Sequence, residues 1–267
     1  MVGSEQELSH QLVRKYAKER GMYETPDLNE SLLVHNLGIQ RMSDKLLFSN
    51  VTCLFLENNC LRSLAGVDKA FPKLRYLNVN HNLLDFLDIC LEGLEELHAC
   101  HNHIAGVRGD RAIRSLRVMR LAYNKLCSVA DLSEFKRLEV LDLSYNHIIA
   151  SVEELVKCIP SSVLQLYLSP NPFIAHIPLY RQTILAAFPT LVFLDTEAVT
   201  ESSRAIAQAQ LVGGKDAAAD LRRQHGEAIR KSLAIQLGKF RDFQASYSAS
   251  EYELDQLRRE IKLFTLS

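Results

Sequence analysis

His81, His98, Cys100, His101 and His103 form the grouping whose residue types and spacing come nearest to chemistry in this chain. Imidazole and thiolate are zinc ligands. His98 and Cys100 stand two apart, so on an extended segment they share one face. His81 and His101 fall in equivalent slots of successive sequence repeats, set out below. A zinc site also needs carboxylates that orient its ligands, and none is evident at a matching offset. The expectation is therefore surface histidines beside a half-buried cysteine, with no bound metal. Gly213-Gly214-Lys215 lacks the spacing and the Ser or Thr of a phosphate-binding loop. No nucleophile elbow and no helical zinc motif occurs in the sequence. No catalytic residue is named, no cofactor is implied, and an enzyme is not expected.

The composition bounds what could hold those residues. The chain has 267 residues, of which 47% are hydrophobic, enough to bury a core. That length suits one elongated domain, or one domain and a tail. The formal net charge is −1, so no whole-molecule field draws the chain to nucleic acid or an anionic membrane. No stretch approaches the roughly 18 apolar residues of a membrane span. The opening Met1–Glu7 is polar and acidic, without the basic start and apolar run of a signal peptide. A reducing, cytosolic compartment is expected on these grounds. The six cysteines (Cys53, Cys60, Cys90, Cys100, Cys127 and Cys158) then read as free thiols filling core slots.

One pattern recurs along the chain: apolar, two variable, apolar, one variable, apolar, two variable, Asn, one variable, apolar. Val51-Leu54-Leu56-Asn59-Leu61 fits it, and so does Leu74-Leu77-Val79-Asn82-Leu84. It returns over 94–104, 116–126, 138–148 and 163–173, placing Asn at 59, 82, 102, 124, 146 and 171. The spacings are 23, 20, 22, 22 and 25 residues. A degenerate unit precedes them, with Leu32, Val34 and Ile39 in register and Leu37 where Asn is expected. Six units at a near-constant period specify a leucine-rich-repeat solenoid, in the α/β class, with parallel strands on its concave face. No unit can bury its apolar residues alone, so stacking must make the core continuous. The Asn follows each strand, where an inward amide can pair with backbone groups freed at the bend. These Asn are read as structural. Repeats this short predict helical turns on the convex side, anchored by pairs such as Leu64 and Val67, Val107 and Ile113, or Val129 and Leu132.

An open solenoid needs caps. Leu8, Leu12 and Tyr16 recur every four residues and predict an amphipathic helix stopping at Gly21. At the far end the spacing predicts a helix over 180–188 and a last strand over 191–194. Beyond Val199 apolar residues at 221, 229, 233, 237, 240 and 243 predict a helical tail. Gly213-Gly214 should break it, and so should 246–250. Ser250 and Glu253 have the spacing of a capping box ahead of a stripe at Leu254, Leu257, Ile261 and Phe264. Residues 215–241 carry seven basic and three acidic side chains, which reads as a solvated face or a dock for an acidic partner. The expected divisions are 1–30 (helical N-terminal cap), 31–173 (repeats), 174–199 (C-terminal repeat cap) and 200–267 (helical tail).

The concave face is where such a fold carries function, and the register names its outward residues. Between the two strand leucines stand Phe55, Asn78, His98, Arg120, Asp142 and Tyr167. Just before the Asn stand Asn58, His81, His101, Tyr123, Tyr145 and Pro170. Tyr and Arg are enriched among residues that dominate interface energy. Phe55, Asn78, His81, His98, His101, Arg120, Tyr123, Asp142, Tyr145 and Tyr167 are accordingly expected to bind a protein partner.

The flanks carry a more specific likeness. Residues 12–39, with Tyr23-Glu24-Thr25-Pro26-Asp27-Leu28-Asn29, resemble the N-terminal cap of the leucine-rich-repeat dynein axonemal assembly factors. So does the run from Asn171-Pro172-Phe173 through Ile177-Pro178-Leu179 to Tyr180-Arg181, followed by Leu191-Val192-Phe193-Leu194-Asp195. The likeness continues through 204–214 and the Arg-rich segment near Ile229, and covers most of 8–235. The repeats themselves are generic to the 22-residue class. The resemblance implies a cytoplasmic protein of a ciliated or flagellated cell, helping to preassemble axonemal dynein arms. Its implied partners are dynein chains, molecular chaperones and other assembly factors, with neither nucleic acid nor membrane, and a monomer is expected. Members of that family carry a longer charged C-terminal extension than this chain, so functions lodged there would be lost or fall to 247–267. The alternatives are a structural protein resident in the axoneme, contacting dynein or microtubules, a phosphatase-regulating repeat protein, and a nuclear splicing-complex repeat protein.

Overall fold

The computed structural model of the chain describes residues 6–25, 28–109 and 115–264, the side chains of 89, 109, 131 and 245–264 excepted. It divides into two compact units, Met1–Ala207 and Gln208–Ser267.

The first unit is the solenoid. In chain order it opens with β1 (Glu7–Leu8), α1 (His10–Ala17), β2 (Ser31–Leu33) and β3 (Arg41–Met42). The repeats follow with β4 (Cys53–Phe55), α2 (Val67–Ala70), β5 (Tyr76–Asn78), β6 (Leu87–Ile89), β7 (Glu96–His98), β8 (Val107–Gly109) and β9 (Val118–Arg120). Then come β10 (Val140–Asp142), α3 (Val152–Cys158), β11 (Gln165–Tyr167), α4 (Tyr180–Ala187), β12 (Phe193–Leu194) and β13 (Glu197–Ala198), before α5 (Glu201–Phe264). Among the described residues one sheet has nine strands, in the order β13-β12-β11-β10-β9-β7-β5-β4-β2. Its neighbours pair in parallel except β12 and β13, which close the end as an antiparallel pair.

Register puts one core residue per repeat in a single column. Leu32, Leu54, Leu77, Leu97, Met119, Leu141, Leu166 and Leu194 are paired strand to strand. All eight are fully buried. Each burial contributes about 1.5–3 kcal/mol, gross of the chain entropy lost on folding.

The Asn column binds the repeats to one another. Asn82 Nδ2 donates to Val79 O of its own repeat (3.1 Å) and to Leu56 O of the preceding one (2.9 Å). Its Oδ1 accepts from Leu61 N at 3.0 Å. Asn59, Asn102, Asn124, Asn146 and Asn171 repeat these bonds. The degenerate first unit now has a physical reason. Each Asn clamps the repeat before it, and among the described residues no strand of the sheet lies beyond β2. Leu37 therefore serves, and its own N–H donates to Asn59 Oδ1 at 3.0 Å.

The caps are tied by side chains that reach backbone N–H and carbonyl groups near the strand ends. Arg20 donates to Leu33 O and His35 O at 3.1 and 2.8 Å. Buried Asn29 exchanges two 2.8 Å bonds with the Tyr23 backbone. At the other end Asp195 Oδ1 accepts from Leu168 N and Ser169 N, and Tyr180 Oη donates to Asp195 Oδ2 at 3.0 Å. Burial, with the Asp195 carboxylate beside it, pushes the Tyr180 hydroxyl far up from its ordinary pKa. Arg204 donates to Leu185 O, Phe188 O and Leu191 O, fixing the first turn of α5 to this cap.

The sequence expectations are corrected at several points. Leu8 is not in the first helix. It sits fully buried in β1, which pairs with β3, and α1 starts after Ser9, whose side chain accepts from Leu12 N. The convex side is not helical throughout: β6 and β8 pair there in parallel. Val107 is therefore a strand residue, and Ile113 lies outside the described residues. Leu87 pairs with Val107 and Asp88 with Arg108 across the two units, and β-branched Val107 favours strand. The cysteines do not fill core slots: Cys53, Cys60, Cys100 and Cys158 are half-buried, and Cys90 and Cys127 are exposed.

The second unit is the greater part of α5. Gly214 kinks the helix at φ 75°, ψ −167°, a conformation that glycine adopts without strain. Residues 246–250 do not break it; the helix runs on to Phe264. Ser costs little in a helix interior, and the segment holds neither Gly nor Pro. The capping box at Ser250 and Glu253 and the stripe from Leu254 to Phe264 involve side chains outside those described.

Candidate functional site

The strand-centre column is assembled by the sheet register. Phe55, Asn78, His98, Arg120, Asp142 and Tyr167 pair from strand to strand, each half-buried. Alternation turns them away from the core that their leucine neighbours fill. His98 and Arg120 stand on adjacent strands. Burial, then the Arg120 charge, lowers the pKa of His98 below its ordinary 6.5. Glu96 opposes them with its Oε2 3.6 Å from His98 Nε2. Asp142 Oδ1 accepts from Ser144 N and Oγ at 3.0 and 2.7 Å, which holds its carboxylate on the face.

The second column has a different backbone. Asn58, His81, His101, Tyr123 and Tyr145 all sit in the left-handed region, with φ of 54–57°. This is the bend that turns the chain out of each strand. Asn and His tolerate it, whereas a bulky residue is strained, at about 1–3 kcal/mol. Each bend N–H still donates to the next repeat: His81 to Cys100 O, His101 to Ala122 O and Tyr123 to Ser144 O, at 2.9–3.1 Å.

On this bend four rings stack. Centroids are 4.3 Å apart from His81 to His101, 4.3 Å from His101 to Tyr123 and 4.0 Å from Tyr123 to Tyr145. The interplanar angles are 9–11°. Parallel strands lie about 4.8 Å apart, so one planar residue per repeat comes into contact without adjustment. The stack is exposed, 44% at Tyr123 and 48% at Tyr145, so it forms a surface and not a core. Partial burial, then neighbouring His81, lowers the His101 pKa. Pro170 continues the column after a cis Ser169–Pro170 bond, and Tyr145 N donates to Pro170 O at 2.9 Å.

The site residues thus fall into a ring stack (His81, His101, Tyr123, Tyr145) and a strand-centre row (Phe55, Asn78, His98, Arg120, Asp142, Tyr167). Sequence reasoning missed Tyr76 and Phe193. Tyr76 bridges Phe55 and His98, with centroids at 5.1 and 5.2 Å, and Phe193 lies 5.5 Å from Tyr167. The signal was present: Tyr76 stands two residues before Asn78, on the same face of a strand. Burial and the carboxylates of Glu57 and Glu96 raise the Tyr76 pKa. Along the rim, Arg75 pairs with Glu95 at 2.9 Å and Arg117 with Glu139 at 2.8 Å. Their exposure makes these pairs worth little to stability.

The histidines and the cysteine do not converge as ligands. His81 and His101 stack, and burial pushes the Cys100 thiol up to about 11, which disfavours a thiolate. Among the described residues no group of three His, Cys, Asp or Glu could hold a metal ion. Among them, too, no helix is long and apolar enough to cross a membrane.

The fold and its concave face define a leucine-rich-repeat protein, and a family model for the Leucine Rich Repeat matches residues 137–160. Within that class, most of the chain is similar in sequence to leucine-rich-repeat proteins named for dynein assembly. It is 30% identical over 222 residues to the leucine-rich repeat-containing protein ODA7 of Chlamydomonas reinhardtii, covering 81% of this chain and 51% of that protein. It is 32% identical over 208 residues to the dynein axonemal assembly factor 1 homolog of Drosophila erecta, covering 74% of this chain and 14% of that protein. The chain thus spans about half the length of the first of these relatives and less of the second. Among solved structures, an internalin of Listeria monocytogenes aligns over 75% of this chain and 62% of its own, at 15% identity and a TM-score of 0.46.

Proposed function

We propose that this chain is a protein-binding scaffold that assists preassembly of axonemal dynein arms in the cytoplasm, using its concave face to hold a client or co-factor. The observation that carries the reading is the likeness to ODA7 across 81% of the chain, a span too long for one shared repeat to account for. The concave face supports it physically. Stacked, pre-ordered rings beside Arg120 and Asp142 offer contact area and hydrogen bonds at small entropic cost. The role requires no catalytic step. Its partners would be dynein chains, molecular chaperones and other assembly factors, met in the cytosol of a ciliated or flagellated cell.

The test is capture from detergent-soluble cytosol of a flagellated cell, with wild type beside the Arg120→Glu, Tyr145→Ala double variant. Wild type is expected to bring down dynein heavy or intermediate chains with chaperones, and the variant to lose them while melting as a folded protein. Equal capture by both would move the site off the concave face. Absence of dynein from both would remove the assembly reading.

A further inference from the structure

The second unit carries a feature that the concave-face reading leaves unused. Ile229, Leu233, Leu237 and Phe240 are 67%, 53%, 49% and 57% exposed on α5. At 3.6 residues per turn they lie on one stripe. The charges around that stripe are sorted. Arg223, Arg230 and Arg241 fall along one of its edges, while Asp220, Glu227, Lys231 and Asp242 fall toward the far side of the helix and Lys239 lies beyond the other edge. Arg223 reaches back to Asp220 at 2.7 Å. The remaining edge cations point to an occupant from outside.

We propose that this stripe docks an amphipathic helix of a partner protein whose own apolar seam is edged by Asp or Glu. Charges flanking an apolar helix seam decide which helix pairs with which. A second copy of 215–241 laid antiparallel on the first would set this Arg edge against itself, and neither edge offers a carboxylate to it, so the charges disfavour that occupant. An acidic-edged helix buries the same apolar area and neutralises Arg230 and Arg241. The proposal is independent of what the concave face binds.

The test uses the full chain and two synthetic labelled peptides that share one Leu/Ile helical stripe, one edged with Glu and the other with Lys. Binding is read by fluorescence anisotropy. The Glu-edged peptide is expected to bind at least about tenfold more tightly than the Lys-edged one, by the summed effect of several edge pairs, and to weaken with added salt. Leu233→Ala with Leu237→Ala should abolish binding without loss of helical ellipticity, because Ala keeps helix propensity. Arg230→Glu with Arg241→Glu should reverse the peptide preference. Equal binding of both peptides, or of neither, would overturn the proposal. So would a dimer in sedimentation equilibrium that Leu233→Ala and Leu237→Ala dissociate, since a second copy would then cover the stripe. Stripe-dependent binding to phosphatidylserine vesicles in place of the acidic peptide would overturn it as well.

Discussion

Adjacent residues at each repeat bend meet opposite demands. Asn82, Asn102, Asn124 and Asn146 turn inward, are at most 5% exposed, and spend every amide atom on the backbone of two repeats. The residues immediately before them, His81, His101, Tyr123 and Tyr145, turn outward and touch chiefly one another. The inner identity is dictated by hydrogen-bond accounting. The outer identity is not, and Tyr there works against the left-handed backbone. A side chain that the fold does not require, held where the fold disfavours it, speaks for a role in contact with something else.

The comparison breaks most visibly at its inner member. Asn124→Ala leaves Ile104 N without its partner at 3.0 Å, while Ala99 O and Leu121 O lose one bond each and keep those from Asn102 and Asn146. One unsatisfied buried group, with one bond lost at each of two carbonyls, predicts a loss of roughly 1–3 kcal/mol, read from urea unfolding of the repeat unit. A loss under about 1 kcal/mol would mean that water replaces the amide and that the Asn column does not clamp the repeats.

The outer member predicts the reverse. Tyr123→Asn removes two ring contacts, worth about 0.5–1.5 kcal/mol each when buried and less on this exposed face. It also relieves a strained φ at a residue type that tolerates it. These offset, so stability should change by less than about 1 kcal/mol, while capture of the partner falls. Stability lost as steeply as in Asn124→Ala would make the ring stack a structural element and remove the contrast between the two columns.

How far each column was legible in the sequence follows from the same contrast. The leucine and Asn columns repeat one residue type at a near-22-residue period, so the solenoid could be read directly. The outward columns could be placed by register, but not their relation to each other. Stacking of His81 through Tyr145 depends on the distance between strands and the shared left-handed bend, which no single repeat displays. Tyr76 was passed over because only one outward residue per strand was followed, although three-residue strands present both 76 and 78 on that face. Leu8 fitted a four-residue helical period by coincidence, and a two-residue strand is too short to show its own period. The continuity of α5 through 246–250 escaped for another reason. A cluster of Ser is a weak helix breaker once the turns on either side are formed.

The smallest expected effect concerns one histidine in each column. Burial lowers the pKa of both His98 and His101 below their ordinary 6.5, with Arg120 adding to the effect at the first and His81 at the second. Glu96 opposes it at His98 only in part. The folded protein therefore holds these rings neutral at a pH where the unfolded chain already binds protons. Stability is complete above 6.5, falls as pH drops below that value, and levels off beneath the lowered folded pKa values. Urea midpoints measured from about pH 7.5 down to about pH 5.5 should decline across that window. His98→Gln with His101→Asn should flatten the decline, because neither replacement titrates. His101→Asn alone should remove the smaller share, since its ring is the more exposed of the two. A decline that persists unchanged in the double variant would assign the proton uptake to other groups.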